Sequence, residues 1–164
     1  LGRWLEPLAA DIIDVSAGQH AVGELDDDPW AEGLAGLNSY GMEQATELSR
    51  DLATIGHTIV SALAYGVDQA AHRGAILSGG PTIAVMPCGV DRPYPAAHGQ
   101  LLEAIADRGL IVAEAPPGTA PTRARFLARN RIVAGLAEGT VVVEGAIRSG
   151  ALALRVERES VAAG

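Results

Sequence analysis

Four arginines and the only phenylalanine of the chain lie within one segment of nine residues. The segment holds Arg123, Arg125, Phe126, Arg129, Asn130 and Arg131. Guanidinium groups grip phosphates through paired hydrogen bonds, an amide can bind a base or a sugar, and an exposed ring can stack on a base. These residue types together favour binding of a nucleic acid. A solvated arginine face with Phe126 in the core is the alternative, and the spacing alone does not separate the two.

The charge of the chain is uneven along its length. The net charge is −8 and the pI about 4.9, which for the chain as a whole argues against a nucleic-acid ligand. Residues 1–51 hold eleven acids and two arginines, whereas residues 52–164 hold nine acids and ten arginines. No acid lies between Glu114 and Glu138, a stretch that contains the whole arginine segment. The acidity therefore belongs to the N-terminal third, and the arginine segment is locally basic.

A second candidate site is the turn at the end of an apolar run over residues 58–63. Here Ser61, Ala64, Gly66 and Asp68 lead from a predicted strand into a predicted helix. A helix entered through glycine offers N–H groups and the positive end of its dipole, which suits a phosphate. An ordinary strand–helix connection, with Asp68 near the helix start, is the alternative.

A third candidate is Glu144, which ends another apolar run and is followed by Ser149 and Gly150 at a predicted helix start. Its carboxylate could orient a ribose or an arginine. A helix cap formed with Ser149 is the alternative.

No residues are spaced for catalysis or for metal binding. The four histidines are scattered, Cys88 is the single cysteine, and no second carboxylate stands at an acid–base spacing. We therefore predict no catalytic residue, no metal and no cofactor. The single cysteine excludes an intramolecular disulfide, and no apolar run is long enough to span a membrane. A cytoplasmic protein without a membrane partner is expected.

The segments that position the candidate residues alternate between helical and strand-like patterns. Helices are predicted at 42–55, 67–77, 98–108, 126–137 and 150–160, and strands at 58–63, 82–86, 110–113 and 140–143. Continuous apolar strands separated by such helices indicate a parallel sheet that is covered on both faces. The predicted fold class is α/β, Rossmann-like, with a mostly parallel sheet. Ligands of these sheets bind beyond the carboxyl ends of the strands, so we expect function there.

Residues 1–36 are predicted to be a poorly defined N-terminal segment or linker. Trp4, Leu5, Leu8, Ile12 and Ile13 fit one amphipathic helix, but glycines and the run Asp26–Pro29 break any pattern beyond it. We therefore place the predicted domain at residues 37–164.

Five ordered sequence blocks between Gly56 and Gly150 resemble the Rossmann-like domain of the DNA-processing protein A family, also called Smf. The blocks are Ser61 to His72, Thr82 to Pro95, Ala113 to Gly118, Phe126 to Leu136 and Val141 to Ala151. The most specific features are the run Arg129-Asn130-Arg131 and the Tyr94-Pro95 turn. The resemblance implies a bacterial, non-enzymatic protein that binds single-stranded DNA, often as a homodimer. It also implies that the protein loads the RecA recombinase onto DNA in natural transformation and recombination.

The resemblance also assigns roles to single residues. It implies that the loop Ser61–Gly66 and the Arg129-Asn130-Arg131 block line the pocket for the DNA backbone. Phe126 matches the base-stacking aromatic of the family, and Arg123 lies where a basic residue contacts DNA.

The chain departs from the family pattern at its ends and in one loop. The opening strand with its G-S-R phosphate loop is expected to be missing, because Leu34–Gly41 stands in its place without the arginine. Ala62 stands where the family has glycine. The closing strand is also expected to be missing, so the domain is expected to be incomplete at both ends. A decayed copy that binds nothing is therefore one alternative. A nucleotide-binding enzyme of the phosphoribohydrolase type is another, although the chain lacks the P-G-G-x-G-T motif of that class.

Overall fold

Parallel strands and intervening helices build the part of the chain that the computed structural model describes, residues 12–18 and 39–145. The elements are β1 (Ile12–Gly18), α1 (Ser39–Thr54), β2 (Thr58–Ser61), α2 (Val67–Leu77), β3 (Thr82–Met86), a 3₁₀ turn (Ala96–His98), α3 (Gly99–Arg108), β4 (Leu110–Ala113), α4 (Arg123–Leu136) and β5 (Gly139–Gly145). Within the described residues, the strands form one sheet in the order β4-β3-β2-β1-β5, and every neighbouring pair is parallel. The predicted α/β, Rossmann-like fold is confirmed.

The central strands are continuous apolar runs because the sheet is covered on both faces. Every residue of β2 and β3 is buried. Successive side chains point to opposite faces, so Ile59 packs in a cluster with residues of α1 and α2, whereas Val60 packs with Val133 and Ala134 of α4. Ala84 and Met86 share the face of Ile59 and pack against α3. Three helices therefore cover one face, and α4 covers the other.

The strand β1 corrects two expectations about the N-terminal region. Residues 12 and 13 belong to a strand instead of an amphipathic helix, and the expectation that the opening strand is missing is wrong, because β1 pairs with β2 and β5 in the sheet. A strand in this position normally reads as an unbroken apolar run, and Asp14 interrupts that run. Asp14 is fully buried, so the polar residue that interrupts the sequence pattern of the strand lies inside the fold. The predicted boundary at residue 36 and the helix predicted at 150–160 fall outside the described residues.

His72 is a fully buried polar residue on α2. The hydroxyl of Thr82 donates a hydrogen bond to the carbonyl of Ile59 (2.8 Å), so Nδ1 of His72 must donate to the same hydroxyl oxygen (2.7 Å). This contact ties α2 to β2 and β3. Burial lowers the pKa of His72 from 6.5 to about 3, and the positive charges of His98 and Arg129 act in the same direction.

We expect the folded protein to lose stability in mild acid because of His72. The folded chain keeps this imidazole neutral, whereas the unfolded chain protonates it below pH 6.5, so the free energy of unfolding falls as the pH drops from 6.5 towards 3. The loss from this residue at pH 5 is about 2 kcal/mol. Urea denaturation at pH 7 and pH 5 measures it.

The matched variant is His72→Gln, which keeps an amide donor for Thr82 and does not titrate. Its loss of stability between the two pH values should be smaller than that of the wild type by about 2 kcal/mol. Burial also lowers the pKa of His98, so some pH dependence remains in the variant. Equal losses in variant and wild type would contradict the assignment.

Candidate nucleic-acid interface

The carboxyl ends of β2, β3 and β4 lie side by side, because these strands are parallel neighbours. The loops 62–66, 87–95 and 114–122 follow the three strands, and α4 begins directly after the third loop. A groove of about 240 Å³ lies between residues 86–87, residues 114–116 and the first turns of α4. The fold therefore brings the arginine segment and the Ser61–Gly66 loop to one edge of the sheet.

The first turn of α4 is built from basic residues. Thr122 caps the helix by accepting a hydrogen bond from the backbone N–H of Arg125 (3.4 Å), and this turn contains no acid. Arg123 and Arg125 are both exposed, and Arg125 also donates to the carbonyl of Ala120 (2.9 Å). Cations at a helix N-terminus oppose the helix dipole. The arrangement therefore costs helix stability and suits a bound anion.

Arg129 lies in the interior, on the side of α4 that faces the sheet. Its side chain is buried, and Nη1 donates to the carbonyls of Ala62 and Val85, the latter at 2.8 Å. These carbonyls lie at the ends of β2 and β3, so one guanidinium joins α4 to both strands. Burial lowers the pKa of Arg129 below its ordinary value, and the carboxylates of Asp68 and Asp14 oppose that shift. The guanidinium stays charged.

The other two members of the Arg129-Asn130-Arg131 block point in different directions. Asn130 is buried beside Arg129. Arg131 is exposed and forms an ion pair with Glu114, at the end of β4. The stretch that is free of acids in the sequence is therefore not free of acids in space, because the neighbouring strand brings a carboxylate to it.

Phe126 is neither a core residue nor a freely exposed one. Its ring is half-buried and packs edge-on against Tyr94, with ring centroids 5.5 Å apart and planes 62° apart. The guanidinium carbon of Arg129 lies 5.5 Å from the centre of the same ring. Part of the Phe126 ring therefore remains accessible beside Arg123 and Arg125.

The loop that follows β2 is held from inside the protein. The hydroxyl of Ser61 is buried and donates to the carbonyl of Val15 (2.9 Å), and Asp68 accepts from the backbone N–H of Ala64 (3.3 Å). Leu63 has a φ of +58°, which a leucine rarely adopts, and His98 contacts its carbonyl (3.1 Å). Gly66, with a φ of +90°, turns the chain into α2. Ser61 and Asp68 therefore shape this loop with side chains that are buried.

The third candidate group is only partly described. Glu144 lies in β5, where its backbone pairs with Ala17 of β1. Ser149 and Gly150 lie outside the described residues.

Comparison with known proteins identifies the family. A family model described as DNA recombination-mediator protein A matches residues 35–157. The chain belongs to this family. The putative DNA processing protein DprA of Mycobacterium tuberculosis is 49% identical over 119 residues, which cover 73% of this chain and 31% of that protein. The chain thus spans about a third of the length of this curated relative.

Solved structures of DprA share the fold. The protein from Streptococcus pneumoniae superimposes with a TM-score of 0.76 at 32% identity, over 95% of this chain and 49% of that one. DprA from Helicobacter pylori has the same TM-score, 0.76, at 26% identity, over 94% of this chain and 64% of that one. The family resemblance expected from the five sequence blocks is confirmed.

The described residues of this DprA-family chain include contacts that the sequence does not reveal. Tyr94 and Glu114 touch the arginine segment only because the loops after β3 and β4 meet α4. Asp91 accepts the backbone N–H of Gly118 (2.8 Å) and so ties these two loops together. Of the residues in these contacts, the sequence singled out only Tyr94, because the Tyr94-Pro95 turn is one of the specific features of the family resemblance.

The described part of the chain contains no group of three or more His, Cys, Asp or Glu side chains that could hold a metal ion. Over the same residues, none of the helices has the length and apolar character needed to cross a bilayer.

Arg129 and Arg123 should differ in what they contribute to stability. Arg129→Met keeps the apolar stem but removes the donor of two buried hydrogen bonds and leaves Asp14 and Asp68 without their cation. We expect it to lower the free energy of unfolding by about 2–4 kcal/mol. Arg123→Met, at an exposed position, should change it by about 0.5 kcal/mol or less. Urea denaturation compares the two, and equal stabilities would show that Arg129 does not anchor α4.

Proposed function

We propose that this chain binds single-stranded DNA without catalysing a reaction, at the carboxyl edge of its sheet. The observation that carries the proposal is the first turn of α4, where two exposed arginines lie beside a partly accessible phenylalanine ring. Proteins that bind single strands combine such cations for the backbone with aromatic rings for the bases. Family membership supports the proposal, as does the relative from Helicobacter pylori, which is described as having a single-stranded DNA binding mode.

The candidate residues divide into those that touch DNA and those that shape the site. We assign phosphate contacts to Arg123 and Arg125, base stacking to Phe126, and backbone contacts to Ala64 and Gly66. Arg131 joins them when a phosphate replaces Glu114 as its partner. Phosphate contacts and stacking do not read base edges, so the binding is expected to be independent of sequence.

The remaining candidates act from the interior or stay predictions. Ser61, Asp68, Arg129 and Asn130 are buried, and we assign them to holding the loop and α4 in place. DNA contacts of Glu144, Ser149 and Gly150 remain predictions.

The role of the whole protein follows from the family resemblance. We infer that it is a cytoplasmic protein that acts in DNA uptake, natural transformation and recombination. We further infer that it loads the RecA recombinase onto single-stranded DNA and works as a homodimer.

Loss of Arg123 should weaken binding through charge. Arg123→Ala removes one ionic contact, so it should lower the affinity for oligo-dT roughly fivefold at about 0.1 M salt and reduce the salt slope by about 0.7. Fluorescence anisotropy with labelled oligo-dT at several salt concentrations measures both quantities. A strand of mixed sequence should show the same loss.

Arg108→Ala is the matched control for this measurement. Arg108 is also exposed, but it ends α3 at the amino edge of the sheet, away from the candidate site. It should leave affinity and salt slope unchanged. If both variants bind like the wild type, or if the wild type binds no oligo-dT, the proposed site is wrong. Tight binding of a mononucleotide instead would favour the nucleotide-binding enzyme.

Glu114 should limit the affinity for DNA. Its carboxylate holds Arg131 and adds a negative charge beside the proposed path of the phosphates. Glu114→Gln should therefore raise the affinity for oligo-dT several-fold and steepen the salt slope by up to about 0.7. Because the ion pair is exposed, folding stability should change by about 1 kcal/mol or less.

Glu103→Gln serves as the control for charge alone. Glu103 is exposed on α3, which covers the face of the sheet opposite α4. An equal gain in affinity from both substitutions would mean that the effect comes only from the net charge of the chain. An unchanged or lower affinity of Glu114→Gln would mean that the phosphates of the DNA do not pass near Glu114.

A further inference from the structure

Tyr94 is the one aromatic contact of the Phe126 ring among the described residues. It is half-buried, and it packs against the core cluster that contains Leu63, Met86 and Cys88. Its loop is tied to the neighbouring loop by backbone bonds, since the N–H of Gly89 donates to the carbonyl of Thr119 (3.0 Å). Tyr94 is thus held by its packing against the core and by the bonds of its loop, and its ring contacts that of Phe126.

The Phe126 ring has contacts with two other side chains. Tyr94 meets it at 62°, and the guanidinium of Arg129, itself held by two carbonyls, lies 5.5 Å from its centre. A phenylalanine in the first turn of a helix otherwise has several rotamers open to it. Binding that must first order such a side chain loses affinity, and prior ordering recovers it.

We infer that Tyr94 is a positioning residue, which fixes the Phe126 ring in the orientation that a DNA base stacks on. The inference rests on the proposed function, because it needs a base to reach Phe126. Edge-to-face aromatic pairs contribute beyond their buried area, and their usual size corresponds to a roughly two- to tenfold change in binding. Tyr94 is assigned no contact with the DNA itself.

The test separates base contacts from phosphate contacts. The full 164-residue chain is titrated at one salt concentration with oligo-dT and with an abasic oligomer of the same length. The wild type should bind oligo-dT more tightly than the abasic strand. Tyr94→Leu should reduce that preference roughly two- to tenfold while leaving the affinity for the abasic strand unchanged. Tyr94→Phe, which keeps the ring, should retain the wild-type preference.

A double substitution tests whether Tyr94 acts through Phe126. In the Phe126→Leu background, Tyr94→Leu should have no further effect on either strand. Tyr94→Met, whose flexible side chain fills similar space, should give the same reduced preference as Tyr94→Leu, with a melting temperature that confirms folding. Tyr40→Leu is the control, because Tyr40 is an exposed tyrosine on α1, on the other face of the sheet.

Three outcomes would overturn the inference. The first is an unchanged preference for oligo-dT in Tyr94→Leu and Tyr94→Met. The second is an equal loss of affinity for both strands, which would make Tyr94 merely structural. The third is an additional loss in the Phe126→Leu background, which would make it an independent contact. If the wild type binds neither strand, the proposed function itself fails, and the inference fails with it.

Discussion

The candidate site depends on one buried cation. Arg129 reaches from α4 to the carbonyls of Ala62 and Val85, so a single guanidinium fixes the helix to the ends of two adjacent strands. In an interior of low dielectric such charge-assisted bonds are strong, and a buried cation without partners would be very costly. The register of α4 on the sheet is therefore set at this point. This register also determines which way the other residues of the arginine segment point.

The helical repeat then separates the arginines by role. Phe126, Arg129, Asn130 and Val133 recur at spacings of three and four, so they share the side of α4 that faces the sheet. Arg125 and Arg131 fall on other sides and are exposed, and Arg123, three residues before Phe126, is also exposed at the first position of the helix. Near the helix start this inward stripe combines the aromatic ring of Phe126 with the polar side chains of Arg129 and Asn130, and it is apolar from Val133 onwards. The half of α4 that carries the candidate site is thus held by the hydrogen bonds of Arg129 and the ring contact of Phe126, whereas its other half is held by hydrophobic packing.

This division explains how far the sequence alone could go. The bounds of β3 and β4 were predicted because each is a short apolar run that follows a proline or a glycine, and those of α2 because its helical pattern lies between glycines. The strand β1 was missed because Asp14 breaks its apolar run. A carboxylate can be buried at this position because it lies near Arg129, and this tertiary contact leaves no trace in the local sequence. The arginine segment was found from its composition. That Arg129 points inward and Arg131 meets Glu114 depends on the packing of α4 and on the neighbouring strand, so spacing could not separate the four arginines.

The same packing reconciles an acidic chain with a proposed DNA ligand. The net charge of −8 acts on a distant polyanion, but charges further apart than about 8 Å are largely screened at physiological ionic strength. The acids of α1 lie on the face of the sheet opposite α4, and Asp14 and Asp68 are buried next to Arg129. Near the first turn of α4, Asp91 accepts a backbone N–H and Glu114 pairs with Arg131. An approaching strand therefore meets Arg123 and Arg125 as the nearest charges that no carboxylate among the described ion pairs neutralises. These two exposed arginines can therefore act on a phosphate at short range although the net charge of the chain is −8.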